Sequence, residues 1–201
     1  MLKQKKTVAI AMMAALLMGI IASTGNFFSR AEAVRGEVLR LHVLANSDSD
    51  EDQALKLRVR DAILQAGSSL FDGTANIDNV REKLTQNQAA LQSAGETVIH
   101  ESGKDYTLSV FVTDEYFNTR TYGDVTLPAG RYTAVKAVIG KGAGHNWWCV
   151  MFPPLCLPAA QAEPEEYFDS GSLELVESDP KIEVRFKLLE WVESLRVRWF
   201  S

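Results

Sequence analysis

Only two cysteines and three histidines occur among the 201 residues. A structural zinc site wants three or four good ligands, so one forms only if the fold gathers His42, His145, Cys149 and Cys156 together. No internal repeat is present, which sets aside solenoids and propellers. Basic residues are not in excess: 21 Lys and Arg face 26 Asp and Glu, a net charge of −5. That balance argues against a nucleic-acid ligand and against adhesion to anionic lipid. No apolar run reaches the roughly 20 residues of a comfortable membrane span. What remains is an ordinary globular composition, 46% hydrophobic and 23% charged, at a length suited to one domain with appendages.

The first positive feature is an export signal. Lys3, Lys5 and Lys6 precede an uncharged apolar run from Val8 to Ala22, the charged and apolar regions of a secretory leader. Ala31-Glu32-Ala33 offers a small-residue cleavage pattern some distance beyond the run; Ala22-Ser23-Thr24 is nearer but poorer. Retention as an N-terminal anchor is the alternative, and would be the chain's one tie to a membrane. Without residues 1–33 the chain keeps 17 basic and 25 acidic residues, or −8, which suits a soluble protein that meets another protein.

The segment Leu39 to Leu64 carries the clearest pattern. Leu39, Leu41 and Val43 alternate with Arg40 and His42, the period of a strand with one buried face. Asn46, Ser47 and Asp48 break the chain. Ser49 and Asp52 then read as a capping box, with Asp50, Glu51 and Asp52 where the helix dipole favours acids. Leu55, Val59, Ala62 and Ile63 recur at helical spacing, with Lys56, Arg58, Arg60 and Asp61 outward. A calcium loop starting at Asp48 fails, because Gln53 occupies its glycine position and Val59 its closing glutamate position.

Downstream, Asn76 to His100 repeats Ile77, Leu84, Leu91 and Val98 every seven residues, a long amphipathic helix interrupted on its seam by Asn87. Tyr106 to Phe111 alternates as a strand. Val125 to Leu127 and Arg131 to Ile139 read as two extended runs joined by the turn Pro128-Ala129-Gly130, with Lys136 facing water. Residues 158–180 turn acidic and lose periodicity except near Leu173 to Val176, as a linker would. Residues 181–201 regain helical period through Ile182, Phe186, Leu189, Val192 and Leu195, a helix that docks on the domain or meets a partner. This order of strand, helices and then strands implies an α+β fold. Its helices pack on one face of a mostly antiparallel sheet, and an amphipathic helix ends the chain.

Gly140-Lys141-Gly142-Ala143-Gly144 lacks the features of a phosphate loop and leads into His145, Asn146, Trp147 and Trp148, so a turn presenting aromatics is the expectation. Neighbours on a strand point oppositely, so one tryptophan should be buried and the other near the surface. Cys149 and Cys156, an even pair in an exported region, favour a disulfide. The competing reading is a cysteine hydrolase acting on peptide or cell wall. In it Cys149 is the nucleophile, His145 or His42 the base, and Asn146 or Asn46 the orienter. A structural envelope protein is a third class.

The runs Arg40 to Asp61 and GHNWWCVMFPPLC from Gly144 to Cys156 resemble the stage II sporulation protein R family of endospore-forming bacteria. The resemblance covers residues 38–157 and sets a domain of 34–157 between leader, linker and terminal helix. It implies a non-enzymatic signalling protein made in the forespore and exported into the space between the two membranes. There it would activate a membrane-bound aspartic protease, through that protease's extracytoplasmic part, and so drive processing of the sigma-E precursor. It implies no cofactor and no metal. On this reading His42, Asn46, Asp48, Asp50 and Asp52 join His145, Asn146 and Trp148 in one partner-binding surface.

Overall fold

Leu39, Leu41 and Val43 leave one side of a strand, β1 (Leu39–Leu44), and all three are sealed from water. A computed structural model describes residues 2–68, 70, 77–153, 155, 168 and 170–176. Among these, α1 (Leu2–Glu37) leads into β1, followed by α2 (Asp50–Ser68), α3 (Ile77–Gln86) and α4 (Gln88–Glu101). Strands β2 (Leu108–Phe117), β3 (Arg120–Tyr122), β4 (Val125–Leu127), β5 (Gly130–Ile139) and β6 (Asn146–Phe152) come next, then α5 (Ser170–Val176). The main sheet runs β2-β5-β1-β6. Its β2–β5 and β1–β6 pairs are antiparallel and β1–β5 is parallel. Helices α2 to α4 pack on one face through Leu55, Val59, Ile63, Val80, Leu84, Leu91 and Ile99. The class is therefore α+β, on a mixed and mostly antiparallel sheet.

The opposite face is not open along its whole length. Its second core gathers Phe27, Ala31 and Val34 of α1, Val125 and Leu127 of β4, Tyr132 of β5, Val150 of β6, and Leu175 and Val176 of α5. Consequently β1 is buried on both faces, where alternation alone implied one: Arg40 is 0% exposed and His42 3%. The charged residues of β1 do not face water because elements distant in sequence cover them. Arg40 has no carboxylate partner among the described residues. Its Nη2 donates to the Tyr122 hydroxyl at 2.8 Å, and its guanidinium lies over the rings of Phe117, Tyr132 and Tyr122. Burial lowers its pKa from the ordinary arginine value, partly offset by the two tyrosines.

Three further expectations change. The helix expected over Asn76 to His100 is two helices, parted at Asn87, whose side-chain amide donates back to the Lys83 carbonyl at 2.8 Å. Asparagine's short side chain competes with helical hydrogen bonding in this way, while Leu84 and Leu91 on either side stay buried. The strand expected to end at Phe111 continues to Phe117, pairing with β5 throughout. Val125 to Leu127 and the run to Ile139 are both strands joined by the expected turn, and because β4 pairs with β3, Pro128 to Gly130 carries the chain between sheets. Gly130 is needed there: φ is +152°, and the Arg35 guanidinium, which donates to the Ala129 carbonyl, fills the space a Cβ would take. Within the stretch read as an acidic linker, α5 forms and buries Leu175 and Val176. The helix expected over 181–201 lies outside the described residues, as does Cys156. No helix among the described residues is long and apolar enough to cross a membrane.

Candidate functional site

The turn after β1 and the glycine loop before β6 are held together by side chains. Asn46 Oδ1 accepts the Lys141 backbone N–H at 3.1 Å while its Nδ2 donates to Asp52 at 2.9 Å. Ser47 Oγ donates to the same Asp52 carboxylate at 2.5 Å. Ser49 Oγ caps α2 by accepting the Asp52 N–H at 3.2 Å, as the capping pattern implied. The reciprocal half of the box is replaced: the Asp52 carboxylate turns to Asn46 and Ser47 instead. Asp48 Oδ1 accepts the His145 backbone N–H at 2.6 Å and also meets the His145 ring at Nδ1. Gly144 passes so close to the Ser47 carbonyl that a Cβ there would collide with backbone. Lys56, expected to point outward, is buried instead and donates to the His145 carbonyl at 3.0 Å and to Gln53.

A second cluster continues from this lock across the sheet face opposite α2 to α4. Register places Phe111, Lys136, His42 and Trp148 in one row across β2, β5, β1 and β6. His42 Nδ1 meets Glu115 at 2.8 Å, and Nε2 meets the Asn146 side-chain oxygen at 3.1 Å. The Trp148 ring stacks on the imidazole at 3.6 Å between centroids. Lys136 Nζ donates to the other Glu115 oxygen at 2.8 Å. Lys136 is thus a half-buried ion-pair partner rather than a water-facing interruption. An ionised carboxylate only accepts, so the Glu115 contact calls for a proton on Nδ1.

The eight residues expected to face a partner fall into three settings. Asp48, Asp50, His145 and Asn146 are exposed; Asn46 and Trp148 are half-buried; His42 and Asp52 are buried. Trp147, unselected at the sequence level, is the exposed tryptophan at 36%, with the Arg60 guanidinium 4.7 Å from its ring centre. Glu115 lies beyond the alternation that ends at Phe111, so local pattern does not single it out. A lysine inside the apolar run around Lys136 was the signal that some buried-edge carboxylate had to answer it. Cys149 is fully buried in the helix-side core, opposite the face that carries His42. The histidines therefore do not meet it as a nucleophile–base pair. No group of three or more His, Cys, Asp or Glu able to hold a metal occurs among the described residues.

Three carboxyls of the two clusters sit below their ordinary pKa. Hydrogen bonds from the His145 backbone and ring lower Asp48. Burial raises Asp52, but Ser47, Asn46 and Tyr106 outweigh it; burial likewise raises Glu115, and Lys136 and His42 outweigh it. A carboxyl depressed in the folded state contributes stability above its unfolded pKa, about 4, and loses it as pH falls through the lower folded value. The urea midpoint is therefore expected to hold between about pH 7 and 5 and fall below about pH 4. Asp52→Asn and Glu115→Gln should flatten that fall. A midpoint unchanged down to about pH 3 would contradict the assignment.

Against this geometry the comparisons with known proteins fall into place. Residues 35–162 match the family described as Stage II sporulation protein R (spore_II_R), a span that contains both clusters. Stage II sporulation protein R of Bacillus subtilis (strain 168) is 30% identical over 182 residues, covering 79% of this chain and 81% of that protein. No solved structure matches. The chain belongs to the stage II sporulation protein R family.

Proposed function

We propose that this protein is an exported sporulation signal that activates a membrane-bound aspartic protease, which then processes the sigma-E precursor. The observation that carries the reading is the Asp48–His145 link. It joins the two stretches on which the family resemblance rests into one exposed edge. Exposed Asp48, His145, Asn146 and Trp147 supply polar groups around an aromatic anchor, the composition of a protein-binding patch. Activation is a population shift: the patch must contact the protease's active arrangement better than its idle one. The forespore–mother cell intermembrane space is the compartment this role requires. Co-expressing the chain with the candidate protease and the precursor tests it. Precursor cleavage should depend on this chain, and cleavage independent of it would sink the reading.

Export into an oxidising compartment also supports a Cys149–Cys156 bridge. Cys149 is sealed in the core, and no free cysteine occurs among the described residues. A bridge across so short a loop stabilises by about 2 kcal/mol in the loop-entropy model. Alkylation of the exported protein unfolded in urea, followed by mass measurement, should label neither sulfur before reduction and both after it. Two labelled thiols before reduction would remove the bridge.

A further inference from the structure

The C-terminal end of α1 belongs to the folded domain, and this bears on where a leader can be cut. Phe27, Ala31 and Val34 are buried in the second core, and Arg35 donates twice to the Ala129 carbonyl across the sheet. Ala31 of the small-residue pattern Ala31-Glu32-Ala33 is fully buried within a helical turn. A leader peptidase needs its substrate extended and accessible. Cutting after Ala33 would also strip Phe27 and Ala31 from the core they complete. Upstream the situation reverses. Gly25 and Asn26 are exposed, and among the described residues a Cβ at Gly25 would meet nothing within 4 Å. Ser23, Thr24, Gly25 and Asn26 are four consecutive weak helix formers, so this is where α1 opens at least cost.

We propose that the leader is hydrolysed between Ala22 and Phe27, water adding across one peptide bond there, and that residues 27–37 are retained as a structural element of the mature protein. This rests on the export reading. The small residues that a leader peptidase selects are then drawn from Ala22 to Gly25.

The full chain, with an extracytoplasmic reporter fused after Ser201, is expressed in a host that exports it, and the intact mass of the exported form is measured. A mature terminus between Ser23 and Phe27 is expected, and Ala33→Gln, an exposed helical position, should leave that mass unchanged apart from the substitution. A terminus at Val34, retention of Met1, or a processing block in Ala33→Gln each overturns the proposal. A silent reporter instead overturns the export reading. The packing half is then still measured on the purified full chain, where Phe27→Ala should lower the melting temperature by roughly 5–10 °C. An unchanged melting temperature would show that α1 is not part of the core.

Discussion

Leu41→Ala is expected to lower the unfolding free energy by about 2–5 kcal/mol, the range for emptying a buried leucine site. Leu41 is fully buried on the central strand, level with Val135 of β5 and Cys149 of β6. The site cannot collapse easily, because its strand neighbours are hydrogen-bonded on both sides and helices close it from above. Val43→Ala removes less volume from the same layer and should cost less. The contrast is Asp50→Ala, on an exposed first turn, where the change should stay within about 1 kcal/mol. Urea unfolding of the three variants orders them. If Leu41→Ala costs no more than Asp50→Ala, the helices do not pack on β1 as described.

That layer was readable from the sequence because one alternation and one helical period point at the same face. Leu41, Val43, Leu55 and Val59 were identifiable as core on local pattern alone, and all four are buried. The second core was not readable. Arg40 and His42 look like solvent-facing residues until Phe117, Tyr122, Tyr132 and Trp148 arrive from positions some 75 to more than 100 residues away. Nor does the leader pattern of α1 announce that its last turns fill the same layer. A charge at a strand's polar positions says only that those positions tolerate polarity. Whether water or aromatic rings meet it is decided by topology.

The candidate site was legible in the same uneven way. Helix capping by Ser49 follows from four adjacent residues and holds. The lock between the two loops depends on contacts such as Asn46 to Lys141, 95 positions apart. Periodicity carries no information over that distance; only the family resemblance pointed to both stretches together. Nor does local pattern say which tryptophan is free. Alternation puts Trp147 and Trp148 on opposite faces, and the stack on His42 decides that Trp147 is the one left at the surface.

These settings separate contact from scaffold in the activation assay. Trp147→Ala removes an exposed group, so its melting temperature should stay close to that of the unmodified protein, whereas Asn146→Ala also takes the Nε2 partner from buried His42 and should lose some stability. An aromatic anchor at a protein interface is typically worth about 2 kcal/mol or more, which is roughly a 30-fold loss of affinity. Trp147→Ala should therefore need about 30 times more protein to reach the same precursor cleavage. His145→Ala keeps the backbone N–H that Asp48 accepts, so it tests the ring without dismantling the loop. Asn46→Ala and Asp52→Ala behave differently, because each leaves donors or acceptors of the lock unmet, at about 1–3 kcal/mol apiece. They should lose stability and activation together. If Trp147 and His145 variants also lose activation only in step with melting temperature, this edge is scaffold. The open row of Phe111, Lys136 and Trp148 on the neighbouring sheet face would then be the surface to vary next.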